Sequence, residues 1–474
     1  MQDKKFKIYF YFCAMSFFVL LFIILYYSFG YKYNIEAGKT IQTGMIILKT
    51  TPKDVTVYNN GQVVENNRTI TSFFNNQIKI EELEKGKYSV KIEKENYHSW
   101  EKNVLVEGGL VTNFTNIVLL RENYTKNLIF TGAKSNLDEK YFWTDNQGNM
   151  VLYQKGNNLQ IFEIKNMKDV EIIDIDELLQ LRNQNASEIE NAVWSDNDTK
   201  LIIKIRNGEN HFWYFLDLEN ENEVTSLNNI FEENVEIKNK WNLHFAENLF
   251  FIKNNDLYRI DYKTFSEERL LANISSFSVY NNLLYYFVKD DNSLYSTTLN
   301  DFSKMKTIAT MPDNFNTLLA ARITATNEKT FTVLSSTGNL YFIDGNNEVF
   351  YINSFVEEAN FLNDNQRIVY NNKHEMWIYY INQNSTQSRE KELENQLITR
   401  FSGIISNVSL YKDGEHLIYQ EGDRIKFLEI DDRDRRNVFE LMKFENNNIF
   451  YSKNINSLFY IENNNLLQMN LDEE

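Results

Sequence analysis

The chain has 474 residues, which is too many for one ordinary hydrophobic core, so its length indicates two or more domains. Its net charge of −17 argues against a nucleic-acid partner and against tight adsorption to anionic lipid. Its single cysteine, Cys13, excludes a disulfide within the chain and a cysteine-based zinc site.

The N-terminal segment has the length and composition of a membrane-spanning helix. Residues 8–29 form an uncharged run of 22 residues, preceded by three lysines. The positive-inside tendency places the N-terminus in the cytoplasm and the chain after residue 31 outside. We therefore predict a cytoplasmic tip and a single-pass anchor over residues 1–31. A cleaved signal peptide is the alternative, although no clear small-x-small cleavage site follows the run.

Residues 44–120 are typical of a small antiparallel β-sandwich. The run GMIILK predicts a strand, and VTVYNNG predicts a second strand that ends in a hairpin turn. Period-two alternation continues through GKYSVKI, residues 100–106 and residues 112–119. A separate domain therefore precedes the repeats described below.

This region resembles a PEGA domain. The strings TTPKDVTVYNNGQ, ELEKGKYSVKIEKENYHSWEKNVLVEGG and VTNFTNIVLL carry the resemblance, through Pro52, Val55, Val57, Gly61, Leu83, Gly86, Tyr88, Val90, Ile92, Lys94 and Tyr97. The chain departs from the family in lacking a literal Pro-Glu-Gly-Ala, in having Asn96 where Gly is usual, and in an Asn-rich insert over residues 65–76. The resemblance implies a surface-associated interaction module without catalysis.

The rest of the chain repeats one short phrase eight times. The phrase is an apolar residue, two free positions, another apolar or aromatic residue, then a polar one. Its copies begin at Leu159, Trp213, Leu257, Leu294, Leu340, Met376, Ile425 and Leu466. Their mean spacing of about 44 residues is typical of a four-stranded propeller blade. A short apolar run precedes each copy, and polar turns rich in Asn, Asp and Gly lie between the two, so each repeat predicts a central β-hairpin.

We expect an all-β fold with a β-propeller over residues 125–474, of eight blades, with seven as the alternative count. Only three residues follow the last hairpin, so the last blade lacks its outer strand. Residues 128–130 have no other partner, and we predict that they supply this strand and close the ring. The strings VWSD and VSLYKDGEHLIY resemble TolB-type, WD40-like repeats. The whole order resembles membrane-anchored PEGA/propeller proteins of bacteria, which implies a bacterial cytoplasmic membrane with the bulk of the chain outside.

No catalytic motif emerges from the sequence. Gly-x-Ser-x-Gly, Walker A, His-Glu-x-x-His and EF-hand patterns are absent, and the five histidines are scattered. We therefore expect no catalytic, cofactor or metal site. The turns inside the hairpins should share one face of the propeller, which makes a candidate partner-binding face of mixed charge from Lys253, Lys289, Asp290, Asp291, Lys373, His374, Glu421, Asp423 and Arg424.

The favoured function is a non-catalytic envelope scaffold that binds another protein or a cell-wall polymer. The alternative is an extracytoplasmic glycosidase or lyase with its site at the propeller axis. That alternative needs paired carboxylates converging from different blades, which the sequence leaves open. The sequence does not determine the oligomeric state.

Overall fold

The structure is a computed structural model of the chain. It describes residues 2–34, 38–64, 77–131, 142–145, 148–166, 168–175, 178, 187–220, 223–231, 243–245, 248–261, 264–319, 321–382, 393–444 and 449–472. The Asn-rich insert over residues 65–76 lies outside the described residues. The chain forms two compact units, one of which comprises Met1–Asn123 and Phe427–Leu441, while the other contains most of residues 124–474.

The first unit contains one helix and two four-stranded sheets in its described part. Its elements are α1 (Gln2–Ser28), β1 (Tyr31–Asn34), β2 (Lys39–Thr51), β3 (Thr56–Asn59), β4 (Gln62–Val63), β5 (Gln77–Glu84), β6 (Gly86–Glu93), β7 (Trp100–Val106) and β8 (Val111–Val118). One sheet joins β1, β5 and β8 to β2, and the other has the order β4-β3-β6-β7. The Tyr9–Ser28 part of α1 is long and apolar enough to cross a membrane.

The predicted antiparallel sandwich is wrong for one pair of strands, β2 and β8. Strand β2 pairs antiparallel with β5, as Ile46 does with Ile80, but parallel with β8, as Met45 does with Val111. The reason is that β7 and β8 belong to different sheets. The turn after Val106 therefore carries the chain from one sheet to the other, and β8 runs in the same direction as β2.

The alternating residues of both sheets meet in one apolar core. Its buried members include Ile46, Leu48, Val57, Val90, Ile92, Trp100, Val104 and Phe114. Strand β7 shows the pattern most simply, because its residues are buried at every second position. The period of two in the sequence thus marks the inward face of each strand.

One inward position of β7 is a lysine. Lys102 is fully buried, and its Nζ lies 3.3 Å from Glu429 Oε2 and 3.6 Å from Asp431 Oδ1, and donates to the backbone oxygen of Asp431 at 2.7 Å. The Trp100 indole N–H also donates to Glu429, at 3.3 Å. Burial raises the pKa of Asp431, but the hydrogen bond from Arg433 and the charge of Lys102 outweigh it and hold that pKa below its ordinary value.

Replacing Lys102 by Met removes the cation that pairs with the buried Glu429, while Asp431 keeps its bond from Arg433. We expect the free energy of unfolding to fall by about 3–5 kcal/mol, because an uncompensated buried charge costs more than a broken surface pair. Urea-induced unfolding of the detergent-solubilised full-length protein measures this. The control is Lys85→Met, at an exposed position, which should stay within about 0.5 kcal/mol of the parent. A loss for Lys102→Met no larger than that of the control would contradict the role given to this cation.

The strands after residue 124 belong to the second unit, except the parts within Phe427–Leu441, which cluster with the first unit. They are β9 (Asn127–Thr131), β10 (Phe142–Thr144), β11 (Met150–Lys155), β12 (Asn158–Glu163), β13 (Lys168–Asp174), β14 (Glu188–Trp194), β15 (Lys200–Asn207), β16 (Asn210–Asp217), β17 (Glu223–Ser226), β18 (Leu243–Phe245), β19 (Leu249–Lys253), β20 (Asp256–Ile260), β21 (Glu267–Leu271), β22 (Ile274–Tyr280), β23 (Leu283–Val288), β24 (Ser293–Thr298), β25 (Asp301–Thr310), β26 (Ala321–Asn327), β27 (Thr330–Ser335), β28 (Leu340–Ile343), β29 (Val349–Asn353), β30 (Glu358–Phe361), β31 (Arg367–Asn371), β32 (Glu375–Tyr380), β33 (Glu394–Arg400), β34 (Ile405–Leu410), β35 (His416–Glu421), β36 (Arg424–Glu429), β37 (Val438–Lys443), β38 (Ile449–Ser452), β39 (Ser457–Glu462) and β40 (Asn465–Asn470).

Within the described residues these strands form eight four-stranded sheets. We number the sheets one to eight in the order β10–β13, β14–β17, β18–β21, β22–β25, β26–β29, β30–β33, β34–β37 and β38-β39-β40-β9. The eight copies of the sequence phrase all fall in the third strand of a sheet. The predicted fold class is confirmed: an all-β chain with an N-terminal apolar helix, a small β-sandwich and a β-propeller.

Tight turns join the second and third strands because the sequence supplies residues that accept positive φ. Asn254 and Asn255 have φ of 53° and 65° and connect Lys253 directly to Asp256. Asn463 and Asn464 do the same in the last sheet, with φ of 52° and 61°. Both central residues of a type I′ hairpin turn need such angles, and Asn adopts them more readily than larger residues. In these two turns the chain therefore uses Asn at both positions that need positive φ.

Successive sheets pack face to face. Clusters of buried apolar residues join sheet one to two, two to three, three to four, four to five, and five to six. Between sheets six and seven, Arg367 binds Glu415 at 2.6 Å. Between seven and eight, Asn456 donates to the Tyr411 hydroxyl at 2.9 Å. The second strands are therefore covered on both faces, which explains why they are continuous apolar runs in the sequence.

The ring is closed by strand exchange. Strand β9 pairs antiparallel with β40, with Phe130 opposite Leu466 and Leu128 opposite Leu467. The Phe130 ring also stacks on Tyr153 of the first sheet, with 3.8 Å between ring centroids. The prediction that residues 128–130 complete the last sheet is confirmed.

Phe130 and Leu128 provide a matched test of this closure, because they lie on the same strand but only Phe130 is buried. Phe130→Ala should lower the free energy of unfolding by about 3 kcal/mol or more, since it removes a buried aromatic ring. Leu128→Ala should change it by no more than about 0.5 kcal/mol. Thermal and urea unfolding of both variants measure the difference. Equal losses for the two would show that β9 does not seal the ring in solution.

Candidate functional site

The candidate binding site lies on the face that carries the turns between second and third strands, which we call the turn face. In an up-and-down four-stranded sheet, the second-to-third turn lies at the same end as the connection from the fourth strand to the next sheet. Two hydrogen bonds show this directly. The Gly422 N–H, in the turn of sheet seven, donates to Ile404 O at 2.9 Å, and Ile404 lies in the connection from sheet six. The Val356 N–H donates to Gly338 O in the same way.

All nine residues of the predicted partner-binding face lie in these turns or at the strand ends beside them. The structure brings them together in two groups. The first spans sheets three and four and comprises Lys253, Lys289, Asp290 and Asp291. The second spans sheets six and seven and comprises Lys373, His374, Glu421, Asp423 and Arg424.

In the first group, the charged side chains mostly hold the turns. Lys253 Nζ donates to Ile230 O at 3.2 Å. Lys289 Nζ donates to Asn255 Oδ1 at 2.6 Å, which links sheets three and four. Asp291 accepts from the Tyr295 hydroxyl at 2.6 Å, and this bond holds the pKa of Asp291 below its ordinary value. These side chains already have partners within the protein.

The second group is more open to solvent. Glu421 is buried and pairs with Lys426, so it belongs to the sheet rather than to the surface. Asp423 lies 3.6 Å from Arg424, and both are exposed. His374 is exposed, and its Nδ1 lies 2.7 Å from Gly403 O. Lys373 is exposed as well, while its backbone oxygen accepts the Ile405 N–H at 2.7 Å.

Sequence reasoning missed the apolar residues of the turn face. They lie in three successive connections between sheets, and all are exposed: Leu318, Leu319, Phe355 and Ile404. A signal was present, because Phe355 and Ile404 occur in short connections where polar residues are usual.

Phe355 is the most unusual of them. Its side chain is 77% exposed, and its backbone has φ of +59°, in the left-handed region. A bulky residue in that region carries strain of order 1–3 kcal/mol. Because the ring is exposed, its packing contributes almost no stabilisation that would offset this strain. Strain of this kind at an exposed position is typical of a functional site.

Phe355, Lys373 and Ile404 lie near one another on the turn face. The Glu357 N–H, two residues after Phe355, donates to Asn371 O at 2.9 Å, and Lys373 follows Asn371 by two residues. Ile405 then bonds to Lys373, as given above. We call Phe355, Lys373, His374, Ile404 and Arg424 the apolar–basic corner. It offers exposed apolar side chains beside cationic ones.

We also looked for groups suited to catalysis or metal binding. Over the part of the chain that the structure describes, no cluster of three His, Cys, Asp or Glu side chains is arranged to hold a metal ion. Burial raises the pKa of Asp145, and the nearby charge of Asp198 adds to this. Asp145 Oδ1 accepts the Asn149 N–H at 2.7 Å, so this carboxylate shapes the turn between β10 and β11. That turn lies at the sheet end opposite the turn face.

Comparison with known families gives one match. A model described as a secretion system C-terminal sorting domain matches residues 37–107, which is most of the sandwich. No curated protein matches the chain. The PEGA resemblance of residues 44–120 stays a prediction.

Solved structures similar to the chain include propeller domains. The dihydro-heme d1 dehydrogenase NirN, in complex with DHE, is 11% identical with a TM-score of 0.43, and the match covers 64% of this chain and 66% of that chain, just under two thirds of its length. The C-terminal WD40 domain of Sif2 is 10% identical with a TM-score of 0.46, over 73% and 98%. The Dos1 propeller is 12% identical with a TM-score of 0.46, over 74% and 95%.

The strain at Phe355 is testable by itself. Phe355→Asn should raise the free energy of unfolding by about 1 kcal/mol, because Asn tolerates the left-handed region better than Phe. Tyr351→Asn is the control, since Tyr351 is also an exposed aromatic but lies within strand β29. It should not stabilise the protein. Urea unfolding of the two variants measures the contrast, and a destabilised Phe355→Asn protein would contradict the assignment of strain.

Proposed function

We propose that this protein is a non-catalytic binding or scaffold protein of the bacterial cell envelope. Helix α1 anchors it in the cytoplasmic membrane through residues 8–29 with the N-terminus inside, the PEGA-like sandwich follows, and the propeller binds a protein partner outside. The observation that carries the proposal is Phe355, a strained and exposed ring on the turn face. Strain that lowers stability is retained where it serves binding.

The side chains of the apolar–basic corner favour a protein partner of one particular chemistry. Exposed apolar side chains supply desolvation energy, and aromatic residues such as Phe355 are enriched at interfaces. The cationic side chains of Lys373 and Arg424 lie on either side of the Ile404 connection, with Asp423 beside Arg424, in a chain whose net charge is −17. This local reversal of charge would attract an acidic segment. The partner is therefore a protein segment that presents apolar side chains flanked by Asp or Glu.

The proposed location has two supports. The side chains of Tyr9–Ser28 are not buried within the protein, so nothing in this structure covers a helix of that length and apolarity. The family match over residues 37–107 is to a domain named for secretion, which agrees with a position outside the cytoplasm.

The test uses the full-length chain in the membrane of its own cells. A photo-crosslinking phenylalanine analogue at position 355 should form a defined adduct with one partner, and the same analogue at position 351 should not. Ile404→Ser should reduce the adduct and weaken binding of the purified partner by about tenfold or more, as for a central interface residue. Met305→Ser is the matched control, because Met305 is equally exposed but lies in β25.

Two outcomes would overturn the proposal. Adduct formation that is unchanged in Ile404→Ser would remove the corner as the binding site. Release of soluble fragments from purified cell wall by the full-length protein would favour the glycosidase or lyase alternative instead.

A further inference from the structure

The end of helix α1 is joined to the sandwich without a free linker. Gly30, two residues after the helix, accepts hydrogen bonds through its backbone oxygen from Thr43 N at 2.8 Å and from Thr43 Oγ1 at 3.0 Å. The Gly109 N–H donates to Thr43 O at 2.9 Å, and Gln42 Nε2 donates to Phe29 O at 3.1 Å. The two residues that follow the helix are therefore bonded to β2, and β2 is in turn bonded to the β7–β8 turn.

Gly30 and Gly109 make this close approach possible. A Cβ on Gly30 would overlap the backbone oxygen of Thr43, and one on Gly109 would overlap the Gln42 amide. Both residues also have positive φ, of 76° and 73°. A side chain on Gly30 would force β2 away from the end of the helix, and one on Gly109 would displace the Gln42 amide that bonds to Phe29.

The β7–β8 turn also exposes apolar side chains to solvent, outside the apolar core of the sandwich. Leu110 is 57% exposed and Val111 is 52% exposed, and Leu105 is exposed on the strand that leads into the turn. Tyr31 and Tyr33 are exposed on β1, which starts at the end of the helix. Tyrosines at this level are typical of the membrane–water interface.

Distance places these side chains at headgroup depth. The Gly109 Cα lies 3.6 Å from the position that a Cβ on Gly30 would take. One further residue adds about 4 Å, so Leu110 lies within roughly 9 Å of Gly30 by backbone geometry. The polar layer of a bilayer is about 5–8 Å thick on each side. The Tyr9–Ser28 span is about 30 Å long as a helix, so the membrane surface falls next to this turn.

We propose that the β7–β8 turn is a second membrane contact, in which Leu110 and Val111 insert into the outer headgroup layer beside the helix. This inference rests on the membrane anchoring proposed above. The occupant is a lipid surface, because the patch is continuous with the end of the spanning helix. Glu107, exposed in the same turn, limits the depth to the headgroup level and disfavours anionic lipid.

The test measures depth at single labelled positions. The full-length chain carrying Cys13→Ser and one new cysteine is placed in phosphatidylcholine nanodiscs, so that both membrane faces meet solvent. A nitroxide label is attached at Leu110→Cys, and its collisions with oxygen and with a water-soluble nickel chelate are measured by power-saturation EPR. The control Lys53→Cys is exposed just beyond the far end of the 13-residue strand β2. A label at Leu20→Cys reports the helix itself.

We expect the label at position 110 to meet nickel several-fold less often than the label at position 53, and the label at position 20 to be protected from nickel. A protected label at 20 with one at 110 as accessible as at 53 would overturn the turn contact and leave the anchor standing. An accessible label at 20 would overturn the anchor and the turn contact together. Protection at 53 as well would overturn a contact confined to the turn.

Discussion

The antiparallel pairing of β9 with β40 is the constraint on which the propeller depends. A sheet edge exposes unpaired N–H and C=O groups, and a chain of four-stranded sheets has two open ends unless the last sheet meets the first. Phe130 connects the last sheet to the first, because it pairs opposite Leu466 in the last sheet and its ring stacks on Tyr153 in the first. Once the ends are joined, each sheet is covered on both faces, and the second strands tolerate uninterrupted apolar sequence.

That closed arrangement limits which side chains remain available to face solvent. Side chains in the middle of the strands are committed to the core between sheets, so variation is confined to turns and connections. Even there, many polar groups are used to shape the turns, as Asp291 does with Tyr295 and as Lys289 does with Asn255. The turn face also exposes apolar side chains in the connections between sheets. Among them, Phe355 combines exposure with backbone strain.

The sandwich differs from the propeller surface in that it buries a charged side chain within its core. Lys102 occupies an inward position of β7, where the alternation calls for an apolar residue. Its ammonium group is compatible with that position because Glu429 and Asp431 surround it and Trp100 donates to Glu429. Such a cluster contributes less to stability than its short distances suggest, because desolvation offsets much of the attraction. The removal of Lys102 matters most for Glu429, because Asp431 is also bonded to Arg433.

Local chemistry decided much of the fold, and it can be read in the sequence. The phrase beginning at Leu159 and its copies marks the third strands, the Asn254–Asn255 pair marks a hairpin turn, and the alternation of β7 marks its inward face. The parallel pairing of Met45 with Val111 did not follow, because it depends on which sheet each strand joins, and the alternation of β8 is the same in either direction. For the site, charge in the turns selected the turn face as a candidate, but charge could not select the apolar residues Phe355 and Ile404. The sequence by itself thus determined the repeating hairpins, the apolar helix and the face that carries the turns, because these arise from periodicity and turn chemistry within a few residues. Only the tertiary structure decided the strain at Phe355, the partners of Lys102 and the bonding of Gly30 and Gly109 to Thr43, because each depends on groups that folding alone brings into contact.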